Sequence, residues 1–370
     1  MDEQSHSTSH TIAAWGVSLT AIHCPQCKEA HLVPEDDVPP RCPFCLQGPV
    51  EPQPALLPEE PPEQTVPYGI SKSRLDGILE RWAQGIWFRP SDLQAQVLSR
   101  RARPYLVPLW LVDGQVEAEW KADVGFDYQV VSSQERYRDG AGWSSQQVEE
   151  TRVRWEPRVG RLRRGYENLA APALDDHRQV MARLGEYDLR QRESYDPDVT
   201  AQAAIRVPTL EPEAAWPGAE TALVQAAQAE CQQAAGADHI RDFAIDARYS
   251  GLNWTLLLLP AYVTWYKEGD QVWPLLINGQ NGRVSGARRA SASKARTASI
   301  IAGAVALLLI LLGGLMALGG LVFPPLLAVG GVVLLIGVIP AIIAPIPMIS
   351  VWAFNRRTDQ GQRPHLASAR

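Results

Sequence analysis

The chain has 370 residues, 46% of them hydrophobic, with a formal net charge of -6 at pH 7; this exceeds one average domain and argues against a general nucleic-acid binder. The charge is unevenly placed, with ten carboxylates against Lys28 and Arg41 in residues 1–66 and basic residues collected beside an apolar C-terminal stretch. That asymmetry favours contact with anionic lipid headgroups next to the apolar stretch. The chain opens Met-Asp-Glu-Gln-Ser-His, without a basic region and apolar core, so no cleavable signal is expected and the apolar stretch itself serves for targeting.

A short apolar run, Ile12 to Ile22, leads into Cys24-Pro25-Gln26-Cys27, and Cys42-Pro43-Phe44-Cys45 follows after fourteen residues. Each C-x-x-C turn can aim two thiolates at one ion, and two such turns complete a closed tetrahedral four-sulfur site. The spacing predicts a zinc ribbon over 1–47, with Cys24, Cys27, Cys42 and Cys45 holding a structural Zn(II). The alternatives are redox dithiols or structural disulfides. His23 and His31 lie close enough to compete as ligands, but four cysteines fill the shell and both histidines are expected to face solvent. Lys28 and Arg41 against Glu29, Glu35, Asp36 and Asp37 give no cationic face for phosphate, which favours protein binding by the ribbon.

Residues 48–67, dense in Pro and Glu, read as an extended spacer. The soluble domain over 68–290 is α+β. Ser71 is placed to cap a helix to about Gln84 with Leu75, Ile78, Leu79 and Trp82 at helical spacing. Trp82, Trp87 and Phe88 read as core, with a recognition surface as the alternative. A second short helix opens near Pro90-Ser91-Asp92. Arg103 to Val112 reads as a buried strand, and Asp113-Gly114 as a hairpin turn into Gln115 to Asp127.

Further strand pattern follows, with Val148, Thr151, Val153 and Trp155 not required to share one face. Arg152, Arg154, Arg158, Arg161, Arg163 and Arg164 form the most basic soluble stretch. They could meet phosphate, or be solvated and paired with Glu149, Glu150 and Glu156. Helices are expected from Leu174 to Leu189, with Asp175 and Asp176 favouring its positive N-terminal end and a carboxylate pair as the alternative, and from Gly218 to Ala235, carrying Cys231 as a small buried residue. Leu257 to Val263 matches Tyr105 to Leu111 in its apolar triplet, proline and following aromatic, either a weak duplication or chance. Turns at Glu268-Gly269-Asp270 and Asn278-Gly279-Gln280-Asn281-Gly282 close the domain.

Thr297 to Asn355 contains no ionisable side chain. A bilayer span takes about 20 apolar residues, so the run predicts a transmembrane hairpin over 298–350. Its helices run from about Ala298 to Gly320 and from Leu326 to Ser350, broken at Leu321-Val322-Phe323-Pro324-Pro325. Arg283, Arg288, Arg289, Lys294 and Arg296 precede it, and Arg356, Arg357, Arg363 and Arg370 follow in a basic tail over 351–370. The positive-inside rule then puts both termini in the cytoplasm. Gly313-Gly314, Gly319-Gly320 and Gly330-Gly331 allow close helix approach, within the hairpin or in a homo-oligomer. Pro340, Pro345 and Pro347 are expected to kink the end of the second span, and the absence of ionisable groups there argues against transport.

The cysteine ribbon, the segment Trp82-Ala-Gln-Gly-Ile-Trp-Phe-Arg-Pro90 and the block Leu257 to Gly286 together resemble a bacterial family of membrane-associated zinc-ribbon proteins often labelled "primosomal protein N-prime-like". The label implies a helicase, which this chain does not support, because it has no G-x-x-x-x-G-K-[ST] phosphate loop. Some relatives with this layout are similar to proteins that anchor flotillin-like and phage-shock proteins, which implies a scaffold. No H-E-x-x-H or G-x-S-x-G is present, and His177, His239 and His365 are isolated. The reading is therefore multi-domain: a small zinc ribbon, an α+β middle domain and a C-terminal two-helix transmembrane hairpin. It predicts a non-enzymatic adaptor that recruits a cytoplasmic protein to the inner face of the membrane. The alternative is a membrane-tethered nucleic-acid binder using the ribbon and Arg152 to Arg164.

Overall fold

The computed structural model describes residues 15–53, 60–138 and 142–362. In chain order it contains β1 (Leu19–His23), β2 (Ala30–Pro34), β3 (Glu51–Pro52), β4 (Gln64–Thr65), α1 (Leu75–Ala83), α2 (Ala95–Arg101), β5 (Arg103–Arg138), β6 (Gly142–Pro172) and α3 (His177–Leu184). There follow β7 (Glu193–Ser194), α4 (Pro197–Thr200), β8 (Ala204–Arg206), α5 (Pro212–Ala234), β9 (His239–Glu268), β10 (Gln271–Asn278), β11 (Val284–Gly286), α6 (Ala292–Gly319), α7 (Pro324–Ile343) and α8 (Ile346–Gln362).

The central pair is β5 against β9, and it explains the sequence match. Leu106 lies opposite Pro260, and Pro108 opposite Leu258, so the two similar heptads are antiparallel partners in the middle of the sheet. Proline removes a ladder donor and is rarely central. Here each sits where its strand changes its second neighbour: β8 gives way to β6 beside Pro108, and β4 to β10 beside Pro260. No pairing is interrupted.

Asp113-Gly114 is not a turn. The strand continues through it as a bulge, with register shifts against both neighbours, and Asp113 Oδ1 accepts the Asn168 amide at 2.7 Å. A hairpin signal is overridden because β6 and β9 hold the ladder on either side. The result is a three-stranded arm of unusual length. Val116, Ala118, Ala122 and Val124 point to one face and are buried, while Gln115, Glu117, Glu119 and Lys121 point to the other.

Helix α5 covers the base of the apolar face through Ala219, Leu223, Ala227 and Cys231. It starts earlier than the expected Gly218, with Pro212 in its first turn and Pro217 accommodated inside it. Past Gly125, which pairs with His239, β9 drops out and β5 and β6 continue alone to Arg138 and Gly142. At about 3.3 Å per residue, the stretch from Asp113 to Arg138 reaches ~85 Å. Thr151, Val153 and Trp155 share one face of it, opposite Val148.

The ribbon is not held away from the body. β1, β2 and β3 extend the same sheet, because β2 pairs with β8 and β8 with β5. The 48–67 segment is tied at both ends, β3 to β1 and β4 to β9; residues 54–59 lie outside the described residues. The predicted helix at Leu174 to Leu189 is shorter, ending at Leu184 because Gly185 takes φ +81°. The second short helix begins at Ala95, after a turn at Pro90. Ser71 makes no side-chain cap; a short 3₁₀ turn precedes α1 instead.

Two helical stretches, Ala292–Gly319 and Pro324–Thr358, are long and apolar enough to cross a membrane. The hairpin breaks where expected, with Pro324 opening α7. A methyl group on Gly330 would lie 2.5 Å from the Ala317 amide nitrogen, and one on Gly313 2.7 Å from that of Leu334. Only glycine permits this approach of backbones. Gly303, Gly314 and Gly331 point into open space. Of the expected kinks, the chain interrupts helix at Ala344-Pro345 and keeps it through Pro340.

The segment after residue 350 is not a loose basic tail through its described part. α8 continues from α7 onto the soluble domain, where Val351 joins the core of Leu75, Leu79, Leu98, Tyr262 and Tyr266. Asn355 grips the backbone of Ala290 twice, Oδ1 accepting its amide at 2.9 Å and Nδ2 donating to its carbonyl at 3.0 Å. Arg363 and Arg370 lie outside the described residues.

Candidate metal centre and its setting

Two turns of the same kind build the cysteine site. The Lys28 amide donates to the Cys24 carbonyl at 2.7 Å and the Leu46 amide to that of Cys42 at 3.1 Å, and Lys28 and Leu46 both take left-handed φ near +60°. Each turn thereby brings its two sulfurs to one side. Cys24 and Cys45 Sγ lie 3.7 Å apart, as do Cys27 and Cys42 Sγ, and all four lie within 4.8 Å of one another.

Four sulfurs about 2.3 Å from a central ion at tetrahedral corners would be separated by about 3.8 Å. The spacing fits a single ion. It is far from the ~2.0 Å of a disulfide, and all four cysteines are free. Backbone amides of Phe44 and Cys45 point at Cys42 Sγ. Without an ion the sulfurs cannot all ionise: the Cys27–Cys42 hydrogen bond, with burial, pushes Cys27 far up, and the same bond holds Cys42 down to about 5. A cation among them removes that conflict. Gly48 closes the site, since a methyl there would lie 2.8 Å from Cys24 Sγ.

The site is locked to the sheet by residues that spacing alone did not single out. Phe44, between two cysteines, stacks on Tyr105 of β5 at 5.8 Å, with Arg206 above its ring at 5.3 Å. The Arg206 side chain is 2% exposed and binds Glu29 of the ribbon and Asp176, the latter at 2.9 Å. Asp176 stands at the N-terminal end of its helix, as expected, but makes no side-chain cap and its carboxylate binds Arg206.

His31, expected to face solvent, is fully buried and its Nε2 lies 3.0 Å from the Tyr105 hydroxyl. Burial, then the Arg206 charge, lowers its pKa to about 3, so it is neutral. The missed signal was local: Arg206 stands alone between Ile205 and Val207, and a lone charge in an apolar strand requires a buried partner.

The other candidates divide. Each of the six arginines from Arg152 to Arg164 is paired: Arg152 with Glu150, Arg154 and Arg158 with Glu156, Arg161 with Glu119, Arg163 with Glu117 and Arg164 with Glu230. Trp82 and Phe88 pack on the core, whereas Trp87 is exposed. His177, His239 and the metal site lie on separate elements, and His239 pairs with Asp127 on the arm at 2.8 Å. No family model matches the chain, and neither a curated protein nor a solved structure matches it.

Proposed function

We propose that this protein is a non-enzymatic membrane-anchored scaffold that holds a cytoplasmic protein at the inner face of the membrane, with structural Zn(II) on Cys24, Cys27, Cys42 and Cys45. The arm carries this reading. It projects from a body that α8 and Ala290 join to the apolar hairpin, and near its tip Tyr137 and Trp143 lie 5.4 Å apart, 58% and 71% exposed. Exposed aromatic pairs of this kind anchor protein interfaces. Four thiolates suit Zn(II) and leave no open position for catalysis, so the metal's part is to hold the edge of the sheet. Because the ribbon is docked on β8, partner binding falls to the arm rather than to the ribbon. The family resemblance, with its scaffold relatives, points the same way.

The paired arginines weigh against the nucleic-acid reading. A phosphate chain would have to break those ion pairs first, so only non-specific affinity, on the order of micromolar or weaker at physiological salt, is expected. The deciding experiment purifies the full-length protein with its partners from membranes, as wild type and as Tyr137→Ser/Trp143→Ser. The variant is expected to lose the co-purifying protein while keeping its membrane location and metal content. A partner retained at wild-type level would overturn the assignment to the arm, and tight sequence-selective binding of DNA or RNA would overturn the scaffold.

A further inference from the structure

We infer that a groove along α1 binds the phosphate of an anionic phospholipid; the inference rests on the hairpin lying in a membrane. The groove is a cavity of about 580 Å³ between α1 and the turn at Asn281-Gly282. Arg74, Gly77, Ile78 and Arg81 line it from one side of the helix, as their spacing of three, four and seven residues requires. Gly77 leaves a notch between the two arginines, because a methyl there would touch nothing within 4 Å. Ile70, Ile78 and Val284 form an apolar floor.

The charge of this groove is uncompensated. Arg74 and Arg81 are exposed and make no ion pair or side-chain hydrogen bond among the described residues. The carboxylates of α1 are engaged elsewhere: Asp76 accepts from Ser99, and Glu80 pairs with Arg89 at 3.0 Å. Two free arginines whose backbones lie about 10 Å apart along the helix axis, with long side chains that can converge over the notch between them, suit an anion with two or more acceptor oxygens.

The position selects a lipid as the source of that anion. The Gln84 carbonyl, one turn beyond Arg81, accepts from Arg288, and the Arg89 carbonyl accepts from Lys294 Nζ at 2.8 Å in the first turn of α6. The helix that lines the groove is thus tied at its C-terminal end to the segment that leads into the apolar hairpin. A headgroup phosphate would meet the arginines while its glycerol and upper acyl carbons lie on the isoleucines. That combination of a charged rim and an apolar floor is not needed for inorganic phosphate.

The test reconstitutes full-length protein into phosphatidylcholine nanodiscs containing phosphatidylglycerol and counts retained lipid by native mass spectrometry after transfer to detergent. Wild type is expected to keep one phosphatidylglycerol per chain. Arg74→Gln/Arg81→Gln should retain at least tenfold less. Gly77→Leu, whose Cβ meets nothing within 4 Å and whose side chain fills the notch, should do the same with its thermal stability intact. Equal retention in all three would overturn the proposal, as would displacement of the lipid by millimolar inorganic phosphate, which would make the groove a free-phosphate site. Fractionation separates this from the anchor reading: the variants should stay in the membrane, and a wild-type protein found outside it would overturn the anchor itself.

Discussion

Protonation of His31 should undo the docking of the ribbon, and the size of the effect follows from its burial. In the folded chain its pKa is about 3, whereas an unfolded histidine titrates near 6.5. The folded pKa is depressed, so the unfolded state binds the additional proton. The contribution is fully present above pH 6.5 and is lost as the pH falls from there toward 3. At pH 5.5 the loss relative to pH 7.5 is about 1.4 kcal/mol, a tenfold change in the opening equilibrium.

His31→Gln removes the titration and keeps a polar group for the Tyr105 hydroxyl, now 3.0 Å from the ring nitrogen. Hydrogen exchange at the Leu32 and Val33 amides, measured on full-length protein with excess zinc and corrected for intrinsic rate, reads the opening of β2. Protection in wild type should fall about tenfold more than in the variant between these pH values. Equal pH dependence in the two proteins would show that His31 is charged in the folded state or that β2 opens without exposing it, and would refute the argument.

Three further outcomes are expected. Full-length protein prepared under reducing conditions should contain one Zn(II) per chain by metal analysis, and Cys24→Ser should hold less than half an equivalent, since three thiolates leave the tetrahedron open. Gly330→Leu should lower the thermal stability of the detergent-solubilised protein by about 1–3 kcal/mol, the cost of overpacking a close helix contact, while Gly331→Leu, facing open space, should not. Reporters fused before Met1 and after Arg370 should both report the cytoplasmic side; an exported signal from either would require a single span or a re-entrant segment.

What the sequence determined by itself were features whose cause is local. Two C-x-x-C turns place sulfurs by their own backbone geometry, and the Pro324-Pro325 break in a run without charges sets the hairpin. The Asn278 to Gly282 turn closes through the Asn278 side chain, which accepts from the amides of Gln280 and Asn281. Tertiary structure decided what depends on a distant partner. Asp113-Gly114 has the chemistry of a turn and becomes a bulge because two neighbouring strands hold the ladder across it. His31 carries a polar side chain that sequence assigns to solvent, yet it is buried against Tyr105, and Asp176, at its helix end as expected, is also paired with the buried Arg206. The ribbon joins the sheet because β8, some 170 residues on, offers β2 a free edge. Spacing along the chain encodes a residue's near neighbours, whereas hydrogen-bonding capacity left open at a strand edge is filled only when the whole sheet has assembled.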